Sequence, residues 1–109
     1  MALNKQTQTR GHILDQVKQI VLKPLEQMPV SVYLFGSWAR QEEKRTSDID
    51  VAVWSETILP IQTLMNIRFA LEESTVPYNV DLIDLRTADQ PLIDKVRREG
   101  LIWRDYKSD

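Results

Sequence analysis

Two apolar runs, separated by a turn and a polar loop, constrain the fold of this chain more than any other feature. The first run, Val30 to Phe35, is rich in the β-branched and aromatic residues of a buried strand. Gly36-Ser37 follows at once, and a polar segment over residues 41–47 leads to a second run that begins at Asp48 with DIDVAVW. The pattern predicts two buried strands, with polar groups where the second strand is entered.

The turn after the first strand has features that suit phosphate. Gly36 lacks a Cβ atom and allows a sharp change of direction. Ser37 is placed to cap a short helix over residues 38–42, and exposed N–H groups at the start of a helix attract phosphate oxygens. Arg40 adds a planar cationic group on the next turn. We therefore predict that Gly36, Ser37 and Arg40 bind the phosphates of a nucleotide.

Two carboxylates follow the polar loop. Asp48 and Asp50 are two residues apart in the predicted second strand, so their side chains lie on the same face. Their charges repel unless a cation lies between them, and hard oxygen ligands suit Mg²⁺. Alone, an Asp-x-Asp motif most often marks solvated or capping residues, and Gly-Ser after a strand is a weaker signal still. Together, in this strand–turn–strand context, the two motifs indicate a site for nucleotidyl transfer.

These motifs resemble the nucleotidyltransferase superfamily that includes DNA polymerase β and kanamycin nucleotidyltransferase. GSWAR and SDIDVAV are most similar to the minimal nucleotidyltransferase family, whose third carboxylate lies in a segment similar to VPYNVDLIDL, residues 76–85. The resemblance implies an α/β fold with helices packed on a mixed β-sheet, formed by residues 1–109 as a single domain. It favours Asp81 as the third carboxylate. From the residues alone Asp84 stays open, because the two lie three apart and face opposite sides of a strand.

The same resemblance implies an activity and a partner. It implies transfer of AMP from ATP, with two Mg²⁺ ions about 3.5–4 Å apart held by Asp48, Asp50 and Asp81. Proteins of the minimal family are antitoxins of HEPN-domain RNase toxins, and the implied acceptor is a hydroxyl, that of tyrosine, on such a toxin. Two alternatives stay open: a non-catalytic nucleotide-binding antitoxin that occludes its partner, and a free-standing transferase for small molecules.

Composition limits the partners and the compartment. With 14 basic and 16 acidic residues the net charge is -2, which argues against direct nucleic-acid binding. No apolar segment reaches membrane-spanning length, and the N-terminus has no hydrophobic signal region, so we expect a cytoplasmic protein without membrane contact. We interpret the basic residues towards the C-terminus as a solvated helix face: Lys95, Arg97, Arg98, Arg104 and Lys107.

Periodicity and capping signals predict the remaining elements. We expect helices over residues 9–27, 58–74 and 90–99, a third strand over 79–85 and a short strand over 101–103. In the second helix we expect Arg68 to pair with a carboxylate beside an apolar core face. Trp38 is a candidate to stack on a nucleotide base. The predicted core face of the second helix consists of Ile61, Leu64, Ile67 and Leu71.

Overall fold

The structure, a computed structural model, describes residues 8–106 as three helices and a four-stranded sheet. The sheet has strand order β3-β2-β1-β4 and is mixed, which confirms the predicted α/β fold. The elements in chain order are α1 (Arg10–Leu25), β1 (Val30–Phe35), β2 (Ile49–Ser55), α2 (Ile61–Glu72), β3 (Val80–Asp84), α3 (Gln90–Glu99) and β4 (Leu101–Arg104).

Strand pairing brings distant parts of the sequence together at one end of the strands. β1 runs antiparallel to β2 and β4, whereas β2 runs parallel to β3 through the crossover helix α2 that a parallel pair requires. The register sets Phe35 opposite Asp50, and Asp50 opposite Asp81. The end of β1 and the starts of β2 and β3 therefore lie side by side at the same end of the sheet.

Alternating side chains divide the core between the two faces of the sheet. Helices α1 and α2 cover one face, where the buried residues of the strands include Val32, Ile49 and Val51. Helix α3 covers the other face with Val96, which packs with Phe35, Ala52 and Leu85. Asp50 alternates with Ile49 and Val51, so its side chain lies on the α3 face.

Helix α2 differs from its prediction in both length and orientation. It runs from Ile61 to Glu72, shorter than residues 58–74. Leu64, Ile67 and Leu71 are buried as predicted, but Ile61 is 74% exposed. The buried face of α2 is therefore narrower than the sequence pattern predicted, and Ile61 at the start of the helix lies outside it.

Two arginines donate hydrogen bonds to backbone carbonyl groups. Arg68 Nη2 donates to the carbonyl oxygen of Leu82 at 2.7 Å, so the prediction that Arg68 pairs with a carboxylate was wrong. Arg104, on β4, donates to three carbonyl oxygens at and after the end of α1: those of Leu25, Glu26 and Met28. Leu25 and Met28 also accept a backbone N–H, so Arg104 adds a charged donor to the carbonyl groups at the end of α1 and in the turn that follows it.

Helix caps and helix length complete the description of the fold. Asp89 caps α3 by accepting from the N–H of Leu92 at 3.0 Å, and Gly100 follows the helix, which has the predicted bounds 90–99. Over residues 8–106, none of the helices combines the length and apolar character needed to cross a membrane.

Candidate active site

Three carboxylates lie at the end of the sheet where β2 and β3 begin. Asp50 and Asp81 are register partners on adjacent parallel strands, so their side chains lie on the same face. Asp48 is exposed and precedes β2, which begins at Ile49, one residue later than predicted. Asp84 lies at the far end of β3, where its carboxylate accepts from the N–H of Arg86 at 3.0 Å. Of the two open candidates for a third carboxylate, Asp81 is therefore the one beside Asp50.

The three carboxylates interact electrostatically. Burial raises the pKa of Asp50, and the negative charges of Asp81 and then Asp48 raise it further. Lys95 and Arg40 act in the opposite direction. Over residues 8–106, no group of three or more His, Cys, Asp or Glu side chains is drawn together closely enough to hold a metal ion. The donor atoms have the chemistry that Mg²⁺ prefers, but they are not converged as a ligand set.

Gly36 packs directly against this cluster. Its φ angle is +76°, a left-handed conformation that residues with a Cβ atom rarely adopt. A Cβ atom built on Gly36 would overlap Oδ2 of Asp50 and lie 3.2 Å from its Cγ. The antiparallel register explains the contact, because Phe35, the residue before Gly36, is opposite Asp50. The turn and the carboxylates therefore form one structural unit.

The segment after Gly36 is a turn, so the predicted helix over residues 38–42 is wrong. The N–H groups of Ala39 and Arg40 donate to the carbonyl oxygen of Gly36, and that of Glu42 donates to Ser37. Gln41 then adopts a positive φ of 58°, which ends any helical path. Ser37 follows Gly36 at the start of this turn, at the same end of the sheet as the carboxylates.

Arg40 is held by two carboxylates. Its Nε atom lies 2.8 Å from Glu42 Oε1, and its Nη1 atom lies 2.8 Å from Oε1 of Glu99, the last residue of α3. The hydrogen bond that Arg40 donates to Glu42, followed by the one that it donates to Glu99, raises the pKa of Arg40, and the second of these bonds lowers the pKa of Glu99. The positive charge of Arg40 opposes the rise in the pKa of Asp50. To bind phosphate, Arg40 would have to leave Glu42 and Glu99.

Trp38 supports the loop that leads to the carboxylates. It is 2% exposed, and its ring meets Tyr78 edge to face at a centroid distance of 4.9 Å. Its Nε1 atom donates to the carbonyl oxygen of Ser47, directly before Asp48, at 3.2 Å. Because the ring is buried in the core, the prediction that Trp38 stacks on a base was wrong. A buried indole needs a hydrogen-bond partner, and that requirement is the signal for its positioning role.

Sequence reasoning also missed Lys95. It is half-buried on α3, whereas the sequence pattern predicted a solvated face. Its positive charge opposes the rise in the pKa of Asp50 and adds to the effect of Arg40, which lowers the pKa of Glu99. The spacing of Lys95 and Glu99, four residues apart on one helix face, was the available signal. Arg97 and Arg98 are exposed as expected, and Lys107 lies outside the described residues.

A groove of about 890 Å³ lies between α2 and β3 and reaches the carboxylates. Asp48 and Asp81 lie on its border, together with apolar residues from the segment between α2 and β3. Gly36, Ser37 and Arg40 are not among its lining residues. The groove and the Gly36 turn are therefore two different surfaces that adjoin the carboxylates.

Together, the fold and this site define a class of protein: a small α/β domain in which a glycine turn packs on clustered carboxylates. The family described as Polymerase beta, Nucleotidyltransferase matches residues 11–106, and the chain belongs to this family.

Individual relatives and solved structures extend the comparison. Protein adenylyltransferase MntA of Shewanella oneidensis is 39% identical over a region that covers 72% of this chain and 56% of that relative. The matched region thus spans just over half of the relative's length. A crystal structure of a toxin–antitoxin with AMP-PNP contains a chain that is 30% identical, with a TM-score of 0.64 and coverage of 79% of this chain and 71% of that one. A structure of tri-AMPylated Shewanella oneidensis HEPN toxin in complex with MNT antitoxin gives 27% identity, a TM-score of 0.59 and coverage of 82% and 70%.

Proposed function

We propose that this chain is a nucleotidyltransferase antitoxin that transfers AMP from ATP to a tyrosine hydroxyl of a cognate HEPN toxin. The observation that carries the proposal is the packing of the Gly36 turn on Asp50, with Asp81 in register beside it. The relative named protein adenylyltransferase and the neighbour solved with AMP-PNP support the choice of AMP and ATP. The neighbour solved with an AMPylated HEPN toxin supports the choice of partner, and the expected place of action is the cytoplasm.

Each predicted residue has a role in this proposal. Gly36 and Ser37 provide the turn against which the β- and γ-phosphates lie, and Arg40 exchanges its carboxylate partners for those phosphates. Asp48, Asp50 and Asp81 would hold two Mg²⁺ ions. When bound, these ions neutralise phosphate charge and lower the pKa of the acceptor hydroxyl. Burial raises the pKa of Asp50, and the negative charges of Asp81 and Asp48 raise it further; this repulsion supports a cationic ligand at this place.

The reaction is an in-line displacement at the α-phosphorus. The phenolic oxygen of the acceptor forms a bond to that phosphorus, while the bond to the bridging oxygen of the β-phosphate breaks and pyrophosphate leaves. The hydroxyl proton passes to solvent at the exposed Asp81. The protein contributes mainly by holding the two reacting atoms about 3–3.5 Å apart in the correct orientation.

One observation favours the second candidate, a nucleotide-binding antitoxin that acts by occlusion. Across residues 8–106 the carboxylates are not converged on a metal site, and Arg40 is engaged by Glu42 and Glu99. A site that stays in this arrangement would bind a partner without transferring AMP.

Mass spectrometry of the partner distinguishes the two candidates. The proposed HEPN partner is incubated with the chain, ATP and Mg²⁺. The proposal predicts a mass gain of one or more AMP groups, and no gain with the Asp50→Asn variant. An unmodified partner that is nevertheless inhibited would establish the occlusion mechanism instead.

A further inference from the structure

We propose that the groove between α2 and β3 receives the acceptor segment of the partner, and that an exposed apolar stripe on α2 docks the protein that carries it. The stripe consists of Ile61, Met65 and Phe69. The inference rests on the proposed function and assigns the substrate side of that same site.

The geometry of the reaction places the acceptor in the groove. In phosphoryl and nucleotidyl transfer the attacking and leaving oxygens lie roughly in line, on opposite sides of the phosphorus. The pyrophosphate leaves on the side of Gly36 and Arg40, neither of which lines the groove. The acceptor therefore approaches from the side of Asp81. Because β3 is the edge strand of the sheet, a segment in the groove can reach round β3 to the face that carries the side chains of Asp50 and Asp81.

The lining of the groove suits an aromatic hydroxyl on a peptide. Leu71, Val76 and Tyr78 provide apolar surface against which a phenol ring can pack, and Asp81 is among the residues that line the groove. Arg45 adds an exposed cation at the border. A volume of about 890 Å³ exceeds what one side chain needs, and it falls within the range of about 300–1,000 Å³ of pockets that bury larger ligands. The groove thus has room for a short peptide segment.

The stripe extends this surface along α2. Ile61, Met65 and Phe69 are 74%, 52% and 64% exposed, and their spacing of four residues places them in a row on the helix. Arg68 and Glu72, which line the groove, lie three residues after Met65 and Phe69 and so are their neighbours on the helix surface. Single exposed apolar residues are ordinary on protein surfaces, whereas a row beside a reactive site marks a contact surface.

This continuity identifies the occupant as the acceptor protein. A partner whose tyrosine enters the groove must cover the adjoining side of α2, and burial of the stripe then adds to its affinity. A second copy of this chain seated on the stripe would obstruct the same groove.

Two variants and one matched control test the inference. Phe69→Lys places a charge on the stripe, and Asn79→Trp fills the groove at an exposed lining position. Ile102→Lys makes the same change as Phe69→Lys at a residue that is 60% exposed on β4, at the opposite edge of the sheet. Thermal melting first establishes that all three variants are folded.

The measurements are the KM of AMP transfer to the co-expressed HEPN partner and the Kd for ATP by calorimetry. We expect Phe69→Lys and Asn79→Trp to raise the KM for the partner by about tenfold, the loss typical of a central interface residue, with an unchanged Kd for ATP. Ile102→Lys is expected to alter neither quantity.

Three results would overturn the inference. The first is a parental KM in both variants. The second is weaker ATP binding in Asn79→Trp, which would assign the groove to the nucleotide. The third is a dimer of the parent chain that Phe69→Lys dissociates in gel filtration, which would assign the stripe to a second copy. Absence of AMP transfer by the parent chain would refute the proposed function instead. In that case the Kd for the partner, measured without ATP, tests the docking surface: weaker binding by Phe69→Lys supports it, and unchanged binding overturns it.

Discussion

Gly36→Ala is expected to be strongly destabilising, because two separate costs act at this position. A Cβ atom at the observed φ of +76° costs about 1–2 kcal/mol. The same atom overlaps Oδ2 of Asp50, and moving that half-buried carboxylate adds on the order of 1 kcal/mol. The sum, about 2–3 kcal/mol, corresponds to a fall in Tm of roughly 8–20 °C for a domain of this size.

A second glycine provides the matched control. Gly11 lies within α1, and a Cβ atom added to it would have no other atom within 4 Å. Gly11→Ala should therefore leave stability unchanged or raise it by up to about 0.5 kcal/mol, since alanine restricts the unfolded chain and favours a helix. The same chemical change thus has opposite expected signs at the two positions.

Urea denaturation of the metal-free protein measures both effects, and a double-mutant cycle separates the two costs. Asp50→Ala removes the Oδ2 and Cγ atoms that the new Cβ atom would meet. In that background, Gly36→Ala should lose only the backbone cost, so the two substitutions will be non-additive by about 1 kcal/mol. Equal stability of Gly36→Ala and the parent, or strict additivity with Asp50→Ala, would refute the packing of the turn on the carboxylate.

Three further predictions concern charges. The pKa of Asp50 is raised in the folded protein, so protonated Asp50 stabilises the fold below the ordinary aspartate pKa, and this stabilisation is lost as the pH rises through the pKa of the folded state. Asp50→Asn should therefore have a higher Tm than the parent at pH 7 in EDTA, and the same Tm as the parent near pH 3. Arg104→Met should lower the free energy of unfolding by about 1–3 kcal/mol in urea, because the carbonyl groups of Leu25, Glu26 and Met28 lose a charged donor, and those of Leu25 and Met28 keep only a backbone N–H; an unchanged midpoint would contradict this role. Arg40→Ala should weaken ATP binding severalfold more than AMP binding in calorimetry, because its targets are the distal phosphates, and equal losses for the two nucleotides would move Arg40 away from them.

Elements defined by local patterns were predicted well from the sequence. β1 has the predicted bounds, Val30–Phe35, because a largely apolar run ends at a glycine that the turn requires. Helix α3 also has the predicted bounds, Gln90–Glu99, because Asp89 and Gly100 mark its two ends. In both elements the signal lies within a few neighbouring residues.

Features set by contacts between distant residues were not predictable in the same way. Ile61 fits the helical period of the core residues, but only the packing of α2 on the sheet shows that it is exposed. Trp38 acts through Ser47, and Lys95 acts on Asp50 from a helix that begins 40 residues after that aspartate. The candidate site residues were found from motifs, whereas the groups that position them or modify their charge depend on tertiary structure.

The most direct test of the account asks whether inhibition of the partner is covalent. The HEPN partner is treated with this chain, ATP and Mg²⁺, separated from the chain under denaturing conditions, refolded and assayed alone for RNase activity. We predict that it stays inactive, and that partner treated in parallel with Asp50→Asn recovers the activity of an untreated, refolded sample. Full recovery after treatment with the parent chain would contradict AMP transfer as the mechanism.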